Sequence, residues 1–355
     1  MNYIEINYIW RMKNNPVFLL ISFVISLLIT SCYNTLDILD DYKETPIVYG
    51  LLNKNDTVHY IRLQKGFLGA GNALLMAQYT DSIYYDTSEV DVNIYSVING
   101  QQTDTIILKP TYSKEKEEGL FTDEKHRLYQ LFLQERNNGI LSLKPYFKLK
   151  TDAVYRLELK NKVTGLTTIA STNLVESISQ QSLFPSSKIN LASDYPYNVK
   201  IGSAKNGKVY GLIMRFKFKE FKPGATVGTD KYIDYYLDNI LSTTTNGGQS
   251  LTFLIDGSSF FSYLKQRLPK DNSVSRPIGY VAADFIFTVG TPDLYNYIQV
   301  NAPGNTVNYI PEYTNLSNGK GIFTSRWSST VSNMKFNTPS QDSLLYGKFT
   351  AGLFN

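Results

Sequence analysis

The side chains that most often perform catalysis are scarce in this sequence. It contains two histidines, His59 and His126, and one cysteine, Cys32. The histidines lie in different predicted elements, so neither has a partner at the spacing of a metal site or of a Cys-His pair. A Ser-His-Asp triad can assemble from distant segments, but no G-x-S-x-G string precedes a predicted helix. The sequence therefore predicts no catalytic residue, no metal site and no cofactor.

Other patterns that could carry chemistry have simpler interpretations. S-x-x-K strings occur at residues 113–116 and 262–265, but no K-T-G string accompanies them. The glycine-rich stretch at residues 66–72 lacks the lysine of a phosphate loop, and we expect an apolar loop tip there. A glycosidase-type carboxylate pair stays open, because its separation cannot be read from a sequence. The carboxylates considered are Asp81, Asp86, Glu89, Asp234, Asp238 and Asp256.

Tyrosine is the residue type that most favours a binding function. The chain has 27 tyrosines and 19 phenylalanines, many of them in clusters. Tyrosine rings stack on sugars and on peptide side chains and are enriched at interfaces, although they also suit half-buried strand positions. The clusters are Tyr84 with Tyr85, Tyr232 with Tyr235 and Tyr236, Tyr295 with Tyr297, and Tyr309 with Tyr313. The candidate ligand-binding residues are Tyr84, Tyr85, Tyr235 and Tyr236.

The N-terminal residues predict a lipid anchor. Residues 16–30 carry no charge and follow Arg11 and Lys13, and this stretch is shorter than the roughly 20 apolar residues of a membrane-spanning helix. It ends in LITSC at residues 28–32, which resembles the lipobox of bacterial lipoproteins. The resemblance implies cleavage between Ser31 and Cys32 and a diacylglyceryl group on Cys32. An ordinary secretory signal or a short anchor helix is the alternative, and either Met1 or Met12 could start the chain.

The predicted location is the outer membrane, with the periplasmic and the cell-surface face both open. Tyr33 follows the cysteine, where an aspartate would retain an enterobacterial lipoprotein at the inner membrane.

The net charge of +4 is spread along the chain without a basic block. We therefore expect no nucleic-acid partner.

The remaining sequence predicts a mainly β fold with two β-sandwich-like domains. Alternation of period two marks short strands, and Asn99-Gly100 is a strong hairpin signal. After a signal peptide (1–31) and a tether (32–41), the first domain spans residues 42–176 and resembles an immunoglobulin or transthyretin sandwich. A linker at 177–188 leads to a second β-rich domain at 189–355. Short helices are expected there within residues 256–268, where Ser258 or Ser259 can cap the start, and at 292–300.

Four strings in the chain are similar to those of a known lipoprotein family. They lie at residues 47–52 (IVYGLL), 155–170, 294–297 (LYNY) and 313–323 (YTNLSNGKGIF). In order and spacing they resemble Bacteroidota lipoproteins assigned to domain of unknown function 4249. The resemblance implies an outer-membrane lipoprotein of unknown biochemical role, often encoded beside TonB-dependent receptors, and it assigns no catalytic residue. Asn318-Gly319 with Gly321 predicts a turn that needs a positive φ.

Three functions are compatible with these observations. The leading one is a non-enzymatic accessory or binding lipoprotein, working with a TonB-dependent β-barrel nutrient transporter on a glycan or peptide ligand. A structural or adhesive surface lipoprotein is the alternative, and a carboxylate-dependent hydrolase is the third. An aromatic-lined concave face favours the first and a flat polar surface the second. Two carboxylates about 5–9 Å apart in a cleft favour the third.

Overall fold

A computed structural model describes residues 44–66, 73–112, 125–132, 149–184, 187–302 and 312–355. The predicted signal peptide, Ser31, Cys32 and the tether lie outside these residues, as do residues 67–72, 113–116 and Tyr309. The fold is mainly β, as the sequence predicts, and it contains several sheets. Within the described ranges, no helix combines the length and the apolar character needed to cross a membrane.

The largest sheet of the described residues has ten strands. In spatial order it runs β13 (Thr229–Tyr236), β12 (Val209–Glu220), β16 (Ala282–Gly290), β17 (Lys320–Phe336), β1 (Pro46–Asn53), β2 (Val58–Lys65), β6 (Arg127–Phe132) and β5 (Lys109–Tyr112). Two short strands join it, β10 (Lys188–Ile189) beside β17 and β14 (Ile240–Leu241) beside β12. The sheet is antiparallel except where β17 pairs with β1 and with β10.

Two smaller sheets and a few helices complete the described structure. The four-stranded sheet runs β4 (Gln101–Ile107), β3 (Val90–Ile98), β7 (Val154–Asn161), β8 (Thr167–Asn173), and the three-stranded sheet runs β15 (Ser250–Ile255), β11 (Tyr197–Gly202), β9 (Ser179–Gln180). The helices are α1 (Ala73–Met76), α2 (Thr80–Ile83), α3 (Gly257–Arg267), α4 (Pro292–Val300) and α5 (Thr338–Tyr346), with a 3₁₀ turn at Ile278–Tyr280.

Buried apolar residues form two main clusters, and β17 contributes residues to both. The first cluster joins β1, β2 and β6 of the large sheet to β3 and β7 of the four-stranded sheet. The second joins β12, β16 and β17 to β11, β15 and α3. Both arrangements are sandwich-like, because alternate residues of facing sheets point into a shared interior. Of the described helices, α3 and α5 contribute buried residues to the second cluster, whereas α4 buries none and α1 and α2 lie earlier in the chain.

Strand β17 connects the two parts of the molecule. Its first residues pair in parallel with β1, from Ile47 opposite Lys320 to Asn53 opposite Arg326. From Arg326 onward it pairs with β16, up to Met334 opposite Ala283. The large sheet thus takes strands from both sides of residues 177–188, the predicted linker, which itself contains β9. The division into two domains stays a prediction.

Several turns and helix ends could be predicted from residues that are neighbours in the sequence. The Asn99-Gly100 hairpin is confirmed, with φ of 50° and 77° at its two turn residues, as a type I′ turn requires. Helix α4 has the predicted bounds, with Thr291 as N-cap and Pro292 in its first turn. The predicted cap of α3 was wrong. Asp256 caps it, accepting a hydrogen bond from the backbone N–H of Ser259 at 2.7 Å.

Candidate functional site

Three distant segments of the chain enclose a cavity of about 400 Å³, which we call the tyrosine cavity. It is lined by Ile47, Tyr49, Tyr297, Asn301, Glu312, Tyr313, Lys320 and Gly321. These residues come from β1, from the end of α4, and from the segment that leads into β17. Three of the four strings that carry the family resemblance therefore contribute to one concave site.

The positions of Ile47 and Tyr49 follow from strand alternation. In β1, Val48 is fully buried in the first cluster, so its neighbours on either side point away from that core. Ile47 lies opposite Lys320 and Tyr49 lies opposite Ile322 in the parallel pairing. The pairing thereby places the side chains of β1 beside the start of β17 at the cavity wall.

Close approach of the two strands depends on Gly321. Its φ of +97° is in the region that favours glycine, as predicted for this residue. The predicted turn was otherwise wrong, because Asn318 and Gly319 do not have a positive φ and Gly321 lies within β17. A Cβ atom at this position would lie only 2.1 Å from the carbonyl oxygen of Val48. The glycine therefore allows β17 to begin against β1 at the edge of the cavity.

Two tyrosine rings from β1 and α4 meet in the cavity. Tyr49 and Tyr297 have ring centroids 6.3 Å apart and an interplanar angle of 73°, the edge-to-face geometry that aromatic pairs prefer. The guanidinium carbon of Arg62 lies 5.9 Å from the Tyr49 centroid, within the range of a cation–π contact. Tyr49 stays 36% exposed, so part of its surface is available to a ligand.

The third ring, Tyr313, is fixed by hydrogen bonds. Its hydroxyl donates to Oδ1 of Asp293 at 2.5 Å, and the side chain of Asn315 donates to Oδ2 of the same carboxylate at 3.4 Å. Asn315 also bonds the backbone of Phe323 in both directions, at 2.7 Å and 3.0 Å. The wall of the cavity is therefore tied both to the start of α4 and to β17.

Two tyrosines of the cavity, Tyr297 and Tyr313, have a raised pKa. Burial, together with its hydrogen bond with Tyr49, raises the pKa of Tyr297 to about 12. Burial, together with the hydrogen bond to Asp293, raises the pKa of Tyr313 to about 12. Both hydroxyls are neutral at pH 7, and since that of Tyr313 already donates to Asp293, it can accept a hydrogen bond from a ligand.

A charged pair stands at the rim of the cavity. Nζ of Lys320 lies 3.1 Å from the carboxylate of Glu312, and both side chains are about half exposed, at 55% and 54%. An exposed pair of this kind contributes little to stability, so a ligand can replace one partner at small cost. The described lining residues thus offer stacking faces, neutral hydroxyls, an amide and two exchangeable charges, but no histidine, cysteine or serine nucleophile.

Tyr84 and Tyr85 lie in the interior rather than at the surface. Their exposed fractions are 2% and 4%, because the chain turns inward directly after α2. Cationic side chains lie near both rings, Arg127 at 5.4 Å from the Tyr84 centroid and Lys65 at 5.8 Å from that of Tyr85. The predicted contact surface at this cluster is therefore not exposed in the structure.

Tyr235 and Tyr236 point to opposite sides of β13. Tyr236 is 68% exposed, whereas Tyr235 is half-buried and lines a second, shallower concavity beside α3. The structure therefore does not bring the four predicted tyrosines together. The described residues also contain no group of three or more histidine, cysteine or acidic side chains placed to hold a metal ion.

Sequence reasoning missed the tyrosine cavity although it had noticed its parts. Tyr297 and Tyr313 belong to clusters singled out above, and Tyr49 lies in the first string of the resemblance. The sequence did contain a signal for this site. Strings of the family resemblance that lie far apart in the chain each contain a tyrosine close to a glycine, an asparagine or a turn. Only the parallel pairing of β1 with β17 shows that these strings meet.

Comparisons with known proteins identify no relative in sequence. No protein-family model matches the chain, and no curated protein matches it. One solved structure, the "Biofilm associated protein - B domain", aligns with 85% of this chain and 89% of its own length. The identity is 10% and the TM-score is 0.18, values at which a likeness has no bearing on function.

Proposed function

We propose that this protein is a non-enzymatic lipoprotein of the outer membrane that binds a small polar ligand in the tyrosine cavity, as an accessory to a TonB-dependent transporter. The observation that carries the proposal is the cavity itself. Its volume of about 400 Å³ falls within the roughly 300–1,000 Å³ of small-molecule sites. Rings that stack, beside hydroxyl and amide groups that set orientation, suit a ligand with one flat face and several polar groups.

The membrane part of the proposal is supported by the sequence. Residues 28–32 resemble a lipobox, and Cys32 is the one cysteine of the chain. The order and spacing of the strings resemble a family often encoded beside TonB-dependent receptors, and three of those strings line the cavity. A ligand site beside such a receptor has an evident use in nutrient uptake.

The tether would keep the cavity close to the membrane. From Cys32 to Glu44 the chain can extend at most about 40 Å, at roughly 3.3–3.6 Å per residue. Glu44 is fixed to the folded body by hydrogen bonds to Asn161 at 2.7 Å and to Thr164 at 2.5 Å. The cavity begins only three residues later, at Ile47, within reach of a partner in the same membrane.

Co-purification tests the transporter role. Native membranes are solubilised mildly, the tagged protein is captured, and co-purifying proteins are identified, with the Cys32→Ala variant as control. We expect stoichiometric recovery of a β-barrel receptor that is lost in the variant. Recovery of no partner, with the protein still membrane-bound, contradicts the accessory role and supports the adhesive or structural alternative.

Thermal shift with defined probes tests the cavity. Free amino acids, dipeptides, monosaccharides and disaccharides are added to the full-length protein in mild detergent. We expect at least one to raise the unfolding temperature of the wild type and of Tyr295→Ala, but not of Tyr297→Ala. Tyr295 lies on the same helix but does not line the cavity. No shift with any probe, or equal shifts in both variants, contradicts the assignment.

A further inference from the structure

We propose that the concavity beside α3 is a second binding site, and that its ligand is a neutral, linear glycan of two or more sugar units. The site, which we call the aromatic groove, is lined by Tyr235, Ser258, Ser259, Ser262, Tyr263, Gln266 and Phe349. It shares no lining residue with the tyrosine cavity. The two sites can therefore be tested independently, and failure of one proposal leaves the other unaffected.

The aromatic rings of the groove are held in fixed positions. The Tyr235 centroid lies 5.2 Å from that of Tyr263 and 5.5 Å from that of Phe260, both in edge-to-face geometry. Phe260 is fully buried in the second cluster and anchors this group. Tyr263 is held further by a hydrogen bond from its hydroxyl to the carbonyl oxygen of Asp234, at 2.9 Å. The groove therefore presents rigid, half-exposed aromatic faces that need no reordering on binding.

The polar side chains of the groove match the hydroxyl groups of a sugar. Ser258, Ser259, Ser262 and Gln266 come from one helix, α3, and border the same concavity as the rings. Serine hydroxyls and the glutamine amide can each donate and accept hydrogen bonds, as sugar hydroxyls can. A pyranose has an apolar face that stacks on an aromatic ring and an edge of hydroxyls. The groove offers both kinds of contact side by side.

The charges around the groove favour a neutral ligand. No described lining residue is charged. Two carboxylates, Asp256 and Asp238, act electrostatically on Tyr235. Asp256 already accepts a hydrogen bond at the start of α3. Cations lie close as well, Arg267 at 5.3 Å from the Tyr263 centroid and Lys348 at 4.7 Å from that of Phe349. The surroundings therefore carry charges of both signs, which favours a ligand without net charge whose hydroxyl groups can donate to the carboxylates.

The length of the site argues for more than one sugar unit. A second concavity of about 270 Å³ shares Ser258 and Phe349 with the groove, whose own volume is about 480 Å³. Phe349, with Lys348 4.7 Å from its ring centroid, thus borders both spaces. A single sugar would occupy one of them, whereas a chain could pass across Phe349 and fill both.

A peptide is the competing ligand, and the structure favours it less. Peptides commonly bind by adding a strand to a free sheet edge, and β13 is the last strand on its side of the large sheet. Beside the groove, however, the carbonyl oxygen of Asp234 already accepts a hydrogen bond from Tyr263. No charged residue lines the groove itself, so a peptide terminus could meet a charge only in the adjoining concavity, at Asp194 or Lys348.

Binding of defined oligosaccharides tests the proposal. The full-length protein in mild detergent is titrated by calorimetry with glucans, xylans and mannans of one to six units, and with unrelated hexapeptides. We expect at least one glycan series to bind, with affinity that rises from one unit to three. Binding of hexapeptides in the groove, or no binding by any neutral glycan, overturns the proposal.

Matched variants locate the binding. Phe349→Ala and Tyr235→Ala are each expected to weaken glycan binding about tenfold or more, which corresponds to about 1.4 kcal/mol. Tyr346→Ala and Tyr236→Ala are the controls, because both residues are strongly exposed, at 76% and 68%, and neither lines the groove. Equal losses in variants and controls overturn the assignment.

A blocking variant guards against a folding defect. Ser259 is exposed, so Ser259→Arg adds bulk to the groove without removing a core side chain. It is expected to abolish glycan binding while the unfolding temperature stays that of the wild type. Full binding by a folded Ser259→Arg protein overturns the proposal, even where Tyr235→Ala is unstable.

Discussion

The shorter of two hydrogen bonds to Asp293, donated by Tyr313, ties together two segments of the cavity wall that are 20 residues apart in sequence. Tyr313→Phe leaves one carboxylate oxygen without this partner, and we expect a loss of about 1–2 kcal/mol in the free energy of unfolding. Urea denaturation at pH 7 measures it. Tyr195→Phe is the control, because Tyr195 is 81% exposed. Equal stability of the Tyr313 variant and the wild type would contradict this role.

Tyr313 should also make the free energy of unfolding depend on pH in the alkaline range. Its pKa is raised from 10.0 to about 12 in the folded protein, so the unfolded chain loses the proton first as the pH rises. The stability due to the neutral phenol is therefore fully present below pH 10 and is lost between about 10 and 12. The stability of Tyr313→Phe should fall less over this interval than that of the wild type.

His59 should make the stability of the folded protein depend on pH in the acidic range. The side chain is 2% exposed, and burial lowers its pKa below 6.5, partly offset by Asp56, while Arg326 lowers it further. The unfolded chain therefore takes up the proton first, and stability is lost as the pH falls through 6.5. His59→Gln should lose less stability between pH 7.5 and 5.0 than the wild type. Denaturation at the two pH values tests this, and equal losses would exclude the mechanism.

The sequence identifies which residues are tyrosines, but it does not show whether each of them is buried or exposed. Tyr84 and Tyr235 occur in similar clusters, yet Tyr84 is 2% exposed and Tyr235 borders a groove. Tyrosine is compatible with both places, because its ring is apolar and its hydroxyl is polar. Which of the two it occupies depends on the elements that cover it, and those are set by contacts distant in sequence.

Among the elements, the start of β17 depends on Gly321. Alanine there would take a φ of +97° and place its Cβ 2.1 Å from Val48 O, so we expect a loss of about 2–4 kcal/mol. Gly100→Ala is the matched control, since its φ is +77° but no atom lies within 4 Å of the added Cβ, and it should cost about 1 kcal/mol. Guanidinium denaturation compares them. A smaller loss at Gly321 than at Gly100 would show that the β1–β17 contact adjusts easily.

Elements specified by neighbouring residues were predictable, and elements specified by distant pairing were not. The Asn99-Gly100 hairpin and α4 depend on turn and cap residues within a few positions of each other. Strand β17 was missed, because its middle and end mix serine, threonine and asparagine with apolar residues. Its length is explained by partners on both sides, β1 and β16, which no local rule shows.

In the whole molecule, the first sandwich contains residues from the far end of the chain. Phe323 is fully buried in the first cluster, Leu316 belongs to it as well, and β17 supplies the neighbour of β1. We therefore expect a fragment of residues 44–176 not to fold alone. Amide dispersion in NMR spectra tests this, with the same fragment joined to residues 312–336 by a flexible linker as the control that should fold. A folded isolated fragment would support a domain boundary at 177–188.

The parallel pairing of β1 with β17 also sets the timing of biogenesis. Ile47 meets Lys320, so β1 is made about 270 residues before its partner, roughly 15–50 s at typical rates of synthesis. During that interval the partner edge of β1 is open, and an open strand edge is a template for wrong pairing. A chaperone that covers the strand edges of the newly made chain should therefore raise the yield of folded protein, because β1 cannot pair with β17 until β17 has been synthesised.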